Sequence, residues 1–181
     1  MKFTHRTLAQ RLVFASGESP KAVATEVDAL GASKVMLIVS RREQASIESI
    51  AREIPMVLQH TEVFMHVPTE VAQRAREAAV AAGADIVVSV GGGSTTGLAK
   101  AVAMTTGLPI VAVPTTYAGS EATNVWGLTE NGVKTTGVDD RVLPASIVYD
   151  AELLTTLSGE ITVASGLNAL AHGVDSMWGP R

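Results

Sequence analysis

Gly91, Gly92, Gly93 and Ser94 stand between an apolar run, Ile86 to Val90, and a helix-forming run that ends at Lys100, an arrangement suited to holding an anion. Glycine has no Cβ, so three in a row let a phosphate approach backbone N–H groups at the positive end of a helix. A plain strand-to-helix turn needs only one glycine, and Ser94 is placed to cap the helix that follows. The standard templates do not fit: G-x-G-x-x-G fails at Thr96, and Gly97-Leu98-Ala99 is not the Gly-Lys-Ser/Thr of a nucleoside triphosphate loop. A second segment, PTTYAGSEAT over residues 114–123, crowds the hydroxyls of Thr115, Thr116, Tyr117, Ser120 and Thr123 together, as a ligand wall or a solvated loop would. Ser40-Arg41-Arg42 ends an apolar run. An acid near such a point binds the ribose hydroxyls of a dinucleotide, whereas an arginine accepts a 2′-phosphate, so the arginines are either a cofactor determinant or a surface pair. Near the end of the chain, Asn168, His172 and Asp175 fall within roughly 60° of one another on a helix.

These residues need a scaffold, and strands alternate with helices along the chain. The patterns predict strands over residues 34–40, 62–67, 86–90, 109–113 and 147–149. They predict a helix that ends at Gly31 and further helices over 43–53, 69–82 and 94–105; Pro68 and Thr69 cap the second of these and Gly83 closes it. Asn131-Gly132 between extended arms predicts a β-hairpin over residues 125–138. The expected fold is α/β: a doubly wound, mostly parallel sheet with helices on both faces and a hairpin insertion. Ligands bind beyond the carboxyl ends of such strands, which places the glycine loop and the 114–123 segment on one crevice. Val163, Leu167, Leu170, Val174 and Met177 form an apolar stripe on the last helix, while small residues flank Asn168 and His172, as if that face packed closely against something else.

The chain has 181 residues, 46% of them hydrophobic, a net charge of −4 and no cysteine, which excludes disulfides and thiolate metal sites. No basic cluster predicts nucleic-acid binding, and no apolar run is long enough to span a bilayer. The four-residue apolar run near the N-terminus is too short for a signal peptide, and a cytoplasmic protein is expected.

Taken together, the motifs resemble the iron-containing alcohol dehydrogenase superfamily and, within it, the maleylacetate reductases. That family's loop reads G-G-G-S-x-x-D-x-A-K, matched from Gly91 to Lys100 except at Gly97; its P-T-T and G-S-E motifs match Pro114 to Thr116 and Gly119 to Glu121. The resemblance runs from about residue 12 to residue 178. Where the alcohol dehydrogenases carry D-x-x-x-H, this chain has Asn168-Ala-Leu-Ala-His172. A neutral amide is a poor substitute for a carboxylate on a hard divalent cation, so much weaker metal affinity is expected; the maleylacetate reductases resemble this chain in that substitution, which implies catalysis without a metal, and Gly97 in place of the loop's usual acid points to the same branch.

The resemblance implies NADH- or NADPH-dependent reduction of 2-maleylacetate to 3-oxoadipate by a homodimer without a metal ion. By resemblance, His172 and Asn168 are catalytic, and Gly91, Gly92, Gly93, Ser94, Thr115 and Thr116 hold the cofactor together with Ser40, Ser120 and Lys134. The substrate is a dicarboxylate. Residues 1–158 are expected to form the dinucleotide-binding domain, and residues 159–181 the first helix of a helical domain in a protein about twice as long. A metal-dependent alcohol or polyol dehydrogenase, a non-catalytic nucleotide-binding module and a dehydroquinate synthase are the other readings.

Overall fold

The computed structural model describes residues 8–41, 43 and 47–178. Among the described residues the strands are β1 (Arg11–Phe14), β2 (Val35–Val39), β3 (Met56–His60), β4 (Ile86–Gly91), β5 (Ile110–Pro114), β6 (Val125–Glu130), β7 (Val133–Val138) and β8 (Ser146–Tyr149). The α-helices are α1 (Ser19–Ala29), α2 (Glu48–Glu53), α3 (Thr69–Ala81), α4 (Gly93–Thr106), α5 (Ala151–Leu154) and α6 (Gly159–Trp178). Six strands form one sheet in the order β1-β8-β5-β4-β2-β3, parallel throughout, while β6 and β7 make a separate antiparallel hairpin.

Every residue of β2, β4 and β5 is buried. Alternate side chains go to opposite faces: Met36, Ile38, Val87, Ile110 and Ala112 pack with α3 and α4, and Val35, Leu37, Val88, Val90 and Val113 pack with α1 and α2. A continuous apolar run is what a strand covered on both sides requires. Strand order reverses between β2 and β4, since β3 lies on one side of β2 and β4 and β5 on the other. The crevice beyond the carboxyl ends of β2 and β4 is therefore the place for a ligand. Asn131 and Gly132 have φ of 50° and 78°, the paired left-handed conformation that matches the twist of the β6–β7 hairpin.

Several expectations need correction. The strand placed at 62–67 is β3, at Met56–His60, where it pairs with β2; residues 65 and 66 instead form a turn. Beyond the end of β3, Glu62 is bound to Arg74 of α3 at 2.6 Å. The helix expected over 43–53 is regular only over α2, with Glu43 in a turn, and residues 44–46 lie outside the described residues, as does Arg42. β1 carried no sequence signal that was read as a strand. It is an edge strand, mostly exposed, held by pairing to β8 and by Arg11 on the buried carboxylate of Glu26. Thr69 does not cap α3 with its hydroxyl, which donates to the carbonyl of Thr129 instead. Ser94 does not cap α4: the glycine run lets the helix wind back to Gly93, so Gly92 is the N-cap and Ser94 lies in the first turn.

Candidate functional site

The glycine loop closes β4 and opens α4 within three residues. Gly91 has φ of 152°, and a Cβ there would lie 2.9 Å from a Glu43 carboxylate oxygen and closer still to the Thr95 hydroxyl, so only glycine fits. A Cβ on Gly92 would come within 3.0 Å of Thr116 Cγ2, and one on Gly93 within 3.3 Å of Ala118 Cβ. The loop after β5 is thus pressed against the glycines, and the Thr115 N–H donates to the Gly91 carbonyl at 3.1 Å. The shared crevice expected from the strand pattern is present. Among the described residues no side chain caps α4, and no acid stands in its first turn, so the amides of Gly93 and Ser94, which have no helical acceptors, are placed to receive an anion.

One wall of the crevice joins residues distant in sequence. Ser40 Oγ donates to Glu43 Oε2 at 2.7 Å, and Thr115 Oγ1 donates to Glu43 Oε1 at 2.7 Å. Glu43 therefore links the carboxyl ends of β2 and β5 below Gly91. The Ser40-Arg41-Arg42 motif does not include it, although an acid four residues beyond β2 is a readable signal. Arg41 is exposed.

On the other side of the glycines lies a cavity of about 590 Å³. Gly93, Ser94 and Ser120 line it from the loops, Lys134 from β7 and His172 from α6. His66 and Trp126 complete its rim. Among the described residues no acidic side chain lines it, although the whole chain is net negative. Asn168 is exposed on α6, one turn before His172, and is not part of this lining. Gly91, Gly92, Thr115 and Thr116 belong to the crevice beside it.

Lys100 fixes the floor. Its side chain is fully buried, and Nζ donates to the carbonyls of Ser120 and Thr123 at 2.7 Å and of Val125 at 2.8 Å. Burial pushes its pKa down to about 8, opposed by the Glu121 carboxylate. The sequence showed Lys100 only as the last residue of a motif; its role is to tie the 120–125 segment, and with it the start of β6, to α4. Gly97 also has a packing reason: a Cβ there would lie 2.9 Å from Val67 Cγ2.

Residues 9–151 match the family described as iron-containing alcohol dehydrogenase. The chain is 46% identical over 173 residues to a maleylacetate reductase of Burkholderia cepacia, covering 93% of this chain and 48% of that protein. Among solved structures, an iron-containing alcohol dehydrogenase from Corynebacterium glutamicum superposes with a TM-score of 0.97 at 57% identity, covering 99% of this chain and 51% of that one. A maleylacetate reductase from Rhizobium sp. strain MTP-10005 superposes with a TM-score of 0.93 at 44% identity, covering 98% and 51% respectively. The chain spans about half the length of the curated relatives it matches.

Proposed function

Since the chain belongs to the iron-containing alcohol dehydrogenase family, we propose that the protein is a maleylacetate reductase, which reduces the carbon–carbon double bond of 2-maleylacetate to give 3-oxoadipate. The observation that carries this reading is the acid-free cavity, lined by Lys134 and His172, at the open amino end of α4. A dianionic substrate and a dinucleotide both need such a surface.

In this reading the amides of Gly92, Gly93 and Ser94 cradle the pyrophosphate of NADH or NADPH, with Gly91 allowing the close approach. Thr115 and Thr116 line the adenosine side, while Ser120 and Lys134 face the nicotinamide half. Ser40 and Glu43 meet the adenosine ribose. The Glu43 carboxylate, which already accepts from Ser40 and Thr115, places a negative charge there that repels a 2′-phosphate, so NADH is the preferred cofactor.

A reduced nicotinamide held there would supply a hydride to one end of the conjugated double bond, and a proton would complete the other carbon as the enolate returns to the ketone. Negative charge then collects on the substrate's ketone oxygen as an enolate, and a preorganised donor facing that oxygen is worth a few kcal/mol. His172 is that donor, either giving up its proton or only sharing it, and Asn168 orients the histidine or the substrate. Iron gives the family its name, but the donor set in this chain does not suit a hard divalent cation. Asn168 offers one neutral oxygen, and among the described residues no carboxylate lines the cavity. The proposed reaction is metal-independent.

We also read α6 as the first helix of a helical second domain, beginning at residue 159, and the protein as a cytoplasmic homodimer. The domain reading is supported by the stripe from Val163 to Met177, which is exposed along its whole length. Among the described residues no helix is long and apolar enough to cross a membrane.

The test is an assay of the protein at its natural length. NADH oxidation should depend on 2-maleylacetate, proceed faster than with NADPH at equal low concentration, and persist in the presence of a chelator. Activity lost on chelation and restored by iron or zinc, with turnover of a simple alcohol in place of maleylacetate, would establish the metal-dependent alternative.

A further inference from the structure

Between β3 and α3 the chain makes a turn that its own residues disfavour. His66 and Val67 have φ of 64° and 49°, left-handed backbone that a β-branched valine adopts only when its surroundings impose it. The surroundings here do so from three directions. Thr129 of β6 donates through its hydroxyl to the His66 carbonyl at 2.8 Å and through its N–H to the Val67 carbonyl at 3.1 Å. The Val67 N–H bonds the Phe64 carbonyl at 3.3 Å. The Val67 side chain is buried over Gly97, where a Cβ would approach it to 2.9 Å. Strain of this kind costs about 1–3 kcal/mol per residue and persists where the fold over-determines it, most often beside a ligand.

The held turn brings His66 to the rim of the cavity that also contains Lys134 and His172. Lys100, the remaining basic side chain there, already gives its ammonium hydrogens to three carbonyls. The His66 side chain is exposed and has no hydrogen-bond or ion-pair partner among the described residues. A dicarboxylate whose reacting end lies against His172 needs a separate donor for a carboxylate; with Lys134 assigned to the nicotinamide half, His66 is the basic side chain among the described lining residues that has no other role.

We propose that His66 is a substrate-carboxylate ligand, held at the cavity rim by the strained 64–68 turn and its clamp on Thr129 and Gly97. This rests on the reading of the protein as a reductase of a short dicarboxylate. Imidazole donates an N–H to a carboxylate in either protonation state, and loss of one such charge-assisted bond weakens binding about 10- to 100-fold.

The experiment uses the protein at its natural length, comparing His66→Ala, His66→Gln and Thr129→Val with wild type. His66→Ala should raise KM for maleylacetate by about 10- to 100-fold while the NADH dissociation constant, read by fluorescence titration, stays within about twofold. His66→Gln, which keeps an N–H donor, should recover part of the loss. Thr129→Val, which leaves the imidazole and releases its carbonyl, should raise KM by less than His66→Ala, with kcat little changed. An unchanged KM in His66→Ala, or NADH binding weakened in parallel with it, overturns the proposal. If wild type fails to reduce maleylacetate, the functional reading falls, and calorimetric titration of the NADH complex with maleate decides the role of His66. Maleate binding weakened by His66→Ala sustains a dicarboxylate ligand, and binding that is equal in both proteins or absent from wild type overturns it.

Discussion

Lys100 couples the glycine-loop helix to the segment that carries Ser120, and its energetics can be read from solution measurements. Replacing it with methionine keeps the volume but leaves the carbonyls of Ser120, Thr123 and Val125 without their shared donor. The expected loss of stability in urea unfolding is about 2–4 kcal/mol. The pH dependence has a definite sign. Burial lowers the lysine pKa from its ordinary 10.5 to about 8, so between these values the unfolded chain holds a proton that the folded chain has released. Stability from this group therefore rises with pH across that window, by up to about 1.4 kcal/mol per pH unit, and the penalty for burying the charge is fully present below pH 8. The stabilities of wild type and Lys100→Met should diverge as pH rises from 8 to 10.5, with the lysine-dependent slope absent from the variant. A wild-type slope retained in full by Lys100→Met would mean that other groups titrate there.

Among the elements, the β6–β7 hairpin sets the shape of the cavity. Trp126 on β6 stands opposite Gly137 on β7, and its indole lies over the glycine so closely that a Cβ would come within 2.6 Å of the ring. Trp126 also lines the cavity, as does Lys134 on the facing strand. Gly137→Ala should therefore push the indole off the hairpin and into the cavity. The expected readout is a shift in tryptophan emission together with weaker binding of NADH or substrate, while far-UV circular dichroism is retained. Unchanged emission and binding would mean that the ring has room to slide along the strand instead.

For the whole molecule, the open question in energetic terms is the apolar face of α6. Leu167 and Leu170 are 60% and 64% exposed, so truncating either to alanine should change the stability of this 181-residue chain by less than about 0.5 kcal/mol. In a longer chain that carries the proposed helical domain the same substitutions should cost about 2–5 kcal/mol each, because a covered stripe loses both transfer energy and packing when truncated. Denaturant unfolding of both lengths tests this. Equal, negligible effects in the two would show that α6 presents its stripe to solvent and would overturn the domain reading.

The sequence by itself determined the middle of the sheet and the place of the anion site. β2, β4 and β5 are buried on both faces, and burial of that kind leaves an apolar run that can be read locally; the glycines and the Asn131-Gly132 turn are likewise local demands of the backbone. Residues over 9–151 and the relatives bear out the family read from those same motifs. The two sheet edges were decided by tertiary structure. β1 and β3 are held by backbone pairing to a neighbour rather than by an apolar pattern, so one went unread and the other was misplaced. The site's less visible members have the same origin. Glu43 meets Thr115 across 72 positions and Thr129 holds His66 across 63; an acid just after β2 can be read locally, but the distant partners of such side chains cannot. Local pattern records what a residue must avoid, water or strain, while its partners are chosen only when the sheet brings distant strand ends together.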